Sequence, residues 1–212
     1  MEPNLNDIFS SDEKDILQEI MNIAFGNATA DLAQVIDIYV VLSVPNIKVI
    51  DIGDLPHYIK QNIPSSENTS ILQQKFWGEF RGSGILVFPQ TSGKDIAGIL
   101  DDQFSDDGFT LHRQKTEILL EIGNILIGAC VGKVSELLGT FVTYSPPHLI
   151  VDDSEGHNNL INSFEENQTA IVMKTIFEFE NKNINGFLMI LTDNESIDWL
   201  RHALQNFMES YE

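Results

Sequence analysis

Cysteine is almost missing from this chain: Cys130 is the single one among 212 residues. No internal disulfide can form and no CxxC pair exists for metal or redox work, so a reducing compartment is expected. Cys130 lies among Ile127, Ala129 and Val131, the setting of a buried structural thiol rather than a nucleophile. Basic residues are also scarce, 12 Lys and Arg against 32 Asp and Glu, for a formal net charge of −20. Such a surface repels phosphate backbones and anionic bilayers, which argues against nucleic acid and membrane surfaces as partners. No run approaches the roughly 18 uncharged apolar residues of a membrane-crossing helix. The opening MEPNLNDIFSSDEKD has neither the basic nor the apolar segment of a secretory leader, so a soluble, cytoplasmic protein is expected. Hydrolase signatures are missing too: there is no Gly-x-Ser-x-Gly elbow, P-loop or His-Glu-x-x-His. His57, His112, His148, His157 and His202 are scattered without metal-ligand spacing, and only His148, beside Pro147, falls near a motif described below.

What the chain does contain is a repeat. Glu19-Ile20-Met21-Asn22-Ile23-Ala24-Phe25-Gly26 matches Glu121-Ile122-Gly123-Asn124-Ile125-Leu126-Ile127-Gly128 at an offset of 102 residues. The same offset relates Pro45 to Pro147 and Gly84–Phe88 to Gly186–Ile190. A constant offset over so long a stretch predicts duplication, with a first repeat over 10–101, an acidic linker over 102–109 and a second repeat over 110–209, all within a single domain spanning 1–212.

Each copy reads as a long helix, a strand, a short helix, a hairpin and a closing helix. Ser10 followed three residues on by Glu13 is a capping box, and apolar residues at helical spacing continue to Leu32. The Val- and Ile-rich run Ile36–Ile50 is interrupted by Pro45, and its counterpart Phe141–Val151 by Pro146 and Pro147, which predicts bent or edge strands. Gln73–Phe80 and Gly84–Phe88 flank Arg81-Gly82-Ser83, while Lys174–Phe179 and Gly186–Leu191 repeat the pattern, so two antiparallel hairpins are expected. The fold class is therefore α+β: a largely antiparallel central sheet with long helices packed on it, arranged about a pseudo-two-fold.

On the first helix, at about 100° per residue, Asp15, Glu19, Asn22 and Gly26 form one narrow stripe. Leu17, Ile20, Ala24, Ala28 and Leu32 lie opposite. On the second long helix Glu117, Glu121, Asn124 and Gly128 form the stripe, opposite Leu119, Ile122, Leu126, Cys130 and Val134. The polar stripes should face outward. Asn and Gly are poor helix formers, so their recurrence in register calls for a compensating role, such as close approach of another backbone at the glycine, from a neighbouring helix or from a partner. A carboxamide donates and accepts hydrogen bonds and can orient a water molecule, and a neighbouring Glu can hold a cation. Such a pair suits hydrolysis of an already labile bond, of which phosphoryl transfer is an example.

Asp15, Glu19, Asn22 and Pro45, with Asp-x-x-x-Glu-x-x-Asn followed by 22 residues and Pro, resemble the signature of the CheC family of chemotaxis phosphatases. Glu117, Glu121, Asn124 and Pro147 fit it with Glu in place of the usual Asp or Ser at the first position. The resemblance implies dephosphorylation of the aspartyl-phosphate on the chemotaxis response regulator CheY. It implies that Asn22 and Asn124 align the attacking water, that Glu19 and Glu121 pair with a lysine of the regulator, and that Asp15 and Glu117 support docking. Pro45 and Pro147 would shape the chain after each helix. The chain would need no cofactor of its own, Mg²⁺ being supplied by the phosphorylated partner. CheD is a further partner that the resemblance suggests, and the duplication favours a monomer. The alternatives are a non-enzymatic module that binds phosphorylated regulator or CheD, and a structural protein like those of the flagellar switch. With the sequence running to Glu212, the added rotor domain of one such subgroup is not expected.

Overall fold

The computed structural model describes residues 8–36, 40–62, 69–89, 108–150, 169–179, 184–192 and 194–209. The first element is α1 (Ser11–Ile36). Its start is set by the expected capping box: the Glu13 N–H donates to Ser10 Oγ at 3.1 Å and the Ser10 N–H donates to Glu13 Oε2 at 2.7 Å, so two orphan helix donors are satisfied reciprocally. Glu13 is buried despite its charge because its other oxygen accepts from Gln205 at 3.3 Å and faces Arg201 at 3.8 Å. The cap thereby fixes α1 to the last helix.

After α1 come β1 (Val40–Leu42), β2 (Asn46–Asp51), a 3₁₀ turn (Ile52–Asp54) and the short α2 (Leu55–Asn62). The hairpin β3 (Thr69–Gly78) and β4 (Gly82–Pro89) follows, then α3 (Gly108–Leu137). The remainder is β5 (Val142–Tyr144), β6 (His148–Ile150), the hairpin β7 (Thr169–Phe179) and β8 (Ile184–Thr192), and α4 (Asn194–Glu209). The expected closing helix of the first copy and short helix of the second fall outside the described residues. So do positions 102–107 of the acidic linker, whereas Gly108 and Phe109 already belong to α3.

The eight strands among the described residues join one sheet in the order β1, β7, β8, β4, β3, β5, with β2 also on β7 and β6 also on β3. Every pairing is antiparallel, and the fold is α+β as the sequence predicts. The sheet reads alike from both edges: a proline-broken strand, then a hairpin, then a hairpin, then a broken strand. Each broken strand is seated on the hairpin that lies in the other half of the chain. The breaks fall at Ser43-Val44-Pro45 and Ser145-Pro146-Pro147, where proline removes a ladder donor.

Helices α1, α3 and α4 cover one face of the sheet. Leu17, Ile20 and Ala24 of α1, Ile122, Leu126 and Cys130 of α3, and Leu200 and Leu204 of α4 are buried in one cluster with Leu72, Phe76, Leu86, Met173, Phe177, Leu188 and Ile190 from the strands. Burial of each such side chain contributes about 1.5–3 kcal/mol, so this layer dominates stability. On the opposite face Leu55 and Tyr58 of α2 sit over Ile71, Ile85, Val87, Val172, Met189 and Leu191. Cys130 is fully buried, and burial pushes its thiol above the usual range. We expect no reaction with a thiol reagent until the protein unfolds. Alkylation of the native chain at the rate of an exposed cysteine would contradict that placement.

Candidate functional site

The two polar stripes emerge on α1 and α3, which pack against each other as well as on the sheet. Asp15, Glu19 and Gly26 are exposed and Asn22 is half-buried; Glu117, Glu121 and Asn124 are exposed and Gly128 is half-buried. Opposite them Leu17, Ile20, Ala24 and Ala28 of α1 and Leu119, Ile122, Leu126, Cys130 and Val134 of α3 are buried as expected; the side chain of Leu32 is outside the described set. Met21 and Phe25, and likewise Ile127 and Val131, are buried too, so each apolar face is wider than a sheet alone requires. Contact between the two helices accounts for the extra width.

Among the described residues, glycine does not serve a helix contact in either stripe. A Cβ added to Gly26 or Gly128 would meet no described atom within 4 Å, so the neighbouring-helix reading finds no support among the described residues. Gly123, beside Asn124, behaves differently: a Cβ there would lie 2.6 Å from Leu72 Cδ2. Glycine at this position brings α3 close to β3, where α1 carries Met21 instead.

The prolines lie in the strand breaks, next to the stripes. Pro45 is buried and its carbonyl accepts from Gln18 Nε2 of α1 at 3.0 Å. At the first break the Ser43 N–H donates to Ile176 O at 2.8 Å, the Ile176 N–H donates to Ser43 Oγ at 3.0 Å, and Thr175 Oγ1 donates to Ser43 O at 2.6 Å. The second break repeats this pattern. The Ser145 N–H donates to Lys75 O at 2.9 Å, the Lys75 N–H donates to Ser145 Oγ at 3.1 Å, and Gln74 Nε2 donates to Ser145 O at 2.9 Å. In both, a serine hydroxyl takes the strand donor that the proline-containing break leaves without a ladder partner. Gln74 goes further than Thr175, since its Nε2 also donates to Asn124 Oδ1 at 2.7 Å. The Asn22 side chain has no hydrogen-bond partner among the described residues.

Around the second stripe, Tyr144 donates to the Gly128 carbonyl at 3.3 Å, and burial pushes its phenol up to about 12. A cleft of about 480 Å³ runs from Gly128 past Gly132 and Lys133 to Phe141 and Tyr144. Lys133 pairs with Asp31 at 3.2 Å and with Glu136 at 3.1 Å, joining the end of α1 to α3. Phe141 is 92% exposed beside it. His148 in β6 is exposed, and partial burial with the nearby Lys75 ammonium holds its imidazole below the ordinary value. Trp77 is on the surface, whereas Trp199 is half-buried and stacks on Phe80 at 6.0 Å between ring centroids. Among the described residues no three His, Cys, Asp or Glu side chains converge on a point that would hold a metal, and no helix is long and apolar enough to cross a membrane.

Sequence spacing alone does not indicate Gln18 or Gln74, the two residues that join the stripe-bearing helices to the strand breaks. The only local signal is a pair of glutamines, Gln73 and Gln74, inside an otherwise β-prone run that turns out to be buried.

No family model of known protein domains matches the chain. Solved structures do resemble it. FliY from Thermotoga maritima is 17% identical, with 94% of this chain and 99% of that chain covered and a TM-score of 0.65. The FliM middle domain from H. pylori is 15% identical, over 92% of this chain and 99% of that one, with a TM-score of 0.58. The chemotaxis protein CheX from Desulfovibrio desulfuricans is 14% identical, over 83% of this chain and 99% of that one, with a TM-score of 0.50. The chain has the CheC/CheX/FliY-like fold, to which all three belong.

Proposed function

We propose that the chain dephosphorylates the aspartyl-phosphate of a CheY-type response regulator, using Glu19 with Asn22 on α1 and Glu121 with Asn124 on α3. The observation that carries the reading is that both Glu-x-x-Asn pairs face outward from long helices, each with its distant proline in the adjoining strand break, on the fold of a chemotaxis protein. The regulator's own Mg²⁺ is taken to come with it and to withdraw charge from the phosphoryl oxygens. Each Glu pairs with a lysine of the regulator, and each Asn enters beside the phosphoryl group and orients a water molecule. As the water oxygen bonds to phosphorus, the bond from phosphorus to the aspartyl oxygen breaks and the carboxylate leaves with the electron pair. Inorganic phosphate takes up the water's proton. Positioning is the main contribution required, and a well-oriented reactant lowers the barrier by several kcal/mol.

The test is phosphate release from a phosphorylated regulator with and without the protein, with Asn22→Ala and Asn124→Ala measured singly. Acceleration is expected, with each single variant retaining part of it because the stripes are on separate helices. The shared fold of the FliM middle domain favours the second reading, a binding or switch-like role. Tight capture of the regulator without acceleration would establish that role and sink the enzymatic one.

The two outward glycines supply an independent check. Replacing Gly26 or Gly128 by Ala should raise unfolding free energy by about 0.5–1 kcal/mol each, since Ala favours helix and meets no described neighbour. The same changes should weaken regulator binding if a partner backbone approaches there. Stabilisation with undiminished binding would remove that role from the glycines.

A further inference from the structure

Asn124 is held in place before any partner arrives, and the atoms that hold it define which end faces out. Gln74 projects from β3 towards α3 and is only 1% exposed. Its Nε2 makes two hydrogen bonds, to the Ser145 carbonyl at 2.9 Å and to Asn124 Oδ1 at 2.7 Å. A backbone carbonyl can only accept, so the nitrogen of Gln74 must face Ser145. That same nitrogen faces Asn124, which must therefore turn its oxygen inward. The Asn124 amide group is left facing outward with both N–H donors, and one lone pair of Oδ1 stays free.

We propose that Gln74 is the positioning residue of the second site, locking the Asn124 carboxamide in one orientation so that α3 presents a preset group while α1 does not. The functional consequence rests on the phosphatase reading, but the tether itself does not. Three observations support it. Gln74 Oε1 is buried without a hydrogen-bond partner among the described residues, a cost that an apolar side chain would avoid and that the donor end must offset. Gly123 brings α3 close to Leu72 of β3, which lets a glutamine reach the helix. At the first break the place of Gln74 is taken by Thr175 of β7, whose hydroxyl donates to the Ser43 carbonyl at 2.6 Å, and α1 carries Met21 in place of the glycine. Among the described residues nothing tethers the Asn22 side chain, so docking a partner there carries the entropic cost of ordering it.

The decisive experiment is relaxation of the side-chain amide ¹⁵N nuclei in the free protein, with Asn22 and Asn124 assigned by loss of their signals in Asn22→Asp and Asn124→Asp. The expected result is a rigid Asn124 amide and a mobile Asn22 amide, with Gln74→Met releasing Asn124 to the mobility of Asn22. In an Asn22→Ala background, Gln74→Met should then lower kcat for phosphate release by roughly two- to ten-fold, the equivalent of ordering one side chain, with KM unchanged. A purely structural role would change stability without that split. An Asn124 amide as mobile as Asn22 in the wild type overturns the proposal without recourse to any variant. Unchanged kcat in Gln74→Met, or in Gln74→Leu should the methionine variant not fold, also overturns it. If Asn124→Ala leaves turnover untouched in the same background, the phosphatase reading fails, and the relaxation data alone decide the tether.

Discussion

Replacing Asn22 and Asn124 together by Ala is expected to bring phosphate release from an aspartyl-phosphorylated regulator down about 100-fold, to near the regulator's own rate. The size follows from the role: loss of the group that orients the water misplaces the nucleophile, and misplacement by about 1 Å costs a factor of that order. Stability should move the other way or not at all. The Asn22 side chain has no hydrogen-bond partner among the described residues, the Asn124 side chain gives up one bond from Gln74, and Ala is a better helix former than Asn. Thermal melts and single-turnover phosphate release on the same preparations separate the two effects. A double variant that still releases phosphate at the wild-type rate sinks the mechanism, whatever its melting point.

The second large effect concerns folding. Gly186 in β8 faces the backbone carbonyl of Val87 in β4 and the ring of Phe177 in β7, and an added Cβ would collide with both. Backbone in the middle of the sheet cannot retreat as the tip of a flexible side chain can. Gly186→Ala is therefore expected to cost about 3 kcal/mol or more, at the upper end of overpacking penalties. That is a large share of a total stability of roughly 5–15 kcal/mol, and a urea titration would register it as a much lower midpoint. Turnover per folded molecule should be retained. A midpoint equal to that of the wild type would mean that the strands adjust far more easily than their packing implies. The contrast with Gly26 and Gly128, where Ala should stabilise, separates glycines that make room inside the molecule from glycines that leave room outside it.

Much of this was legible from residue order because it depends on local chemistry. Ser10 and Glu13 announce the cap, the prolines mark the strand breaks, and helical phase separates Glu19 and Asn22 from Leu17 and Ile20. The turn expected at Arg81-Gly82-Ser83 falls earlier, at Glu79-Phe80-Arg81, because Gly82 and Ser83 already pair with Phe76 and Lys75 in the β3–β4 ladder. The strands are longer than the pattern suggests: β3 starts at Thr69 rather than Gln73 and β7 at Thr169 rather than Lys174. Polar side chains such as Ser70 and Gln73 disguise the burial, and Gln73 is accommodated by donating to Ser83 at 3.1 Å. What residue order cannot convey is which hairpin receives which broken strand, because that choice depends on pairing between residues more than 60 positions apart. Phe76 lies opposite Tyr144, and Asn46 opposite Lys174. The role of Gln74 was hidden for the same reason, since it exists only once Ser145 and Asn124 are brought to β3 from elsewhere in the chain.

The exchange of broken strands between hairpins makes the molecule an interlocked pair. With β1 and β2 on β7, and β5 and β6 on β3, neither half owns a finished sheet. Each would expose a raw hairpin edge if it were produced alone. A chain severed between β4 and α3 should yield fragments that aggregate separately and regain native spectra on mixing, bound by strand addition as well as by apolar contact. The stripes on α1 and α3 would be lost and recovered together, because each rests on a sheet that the opposite fragment completes.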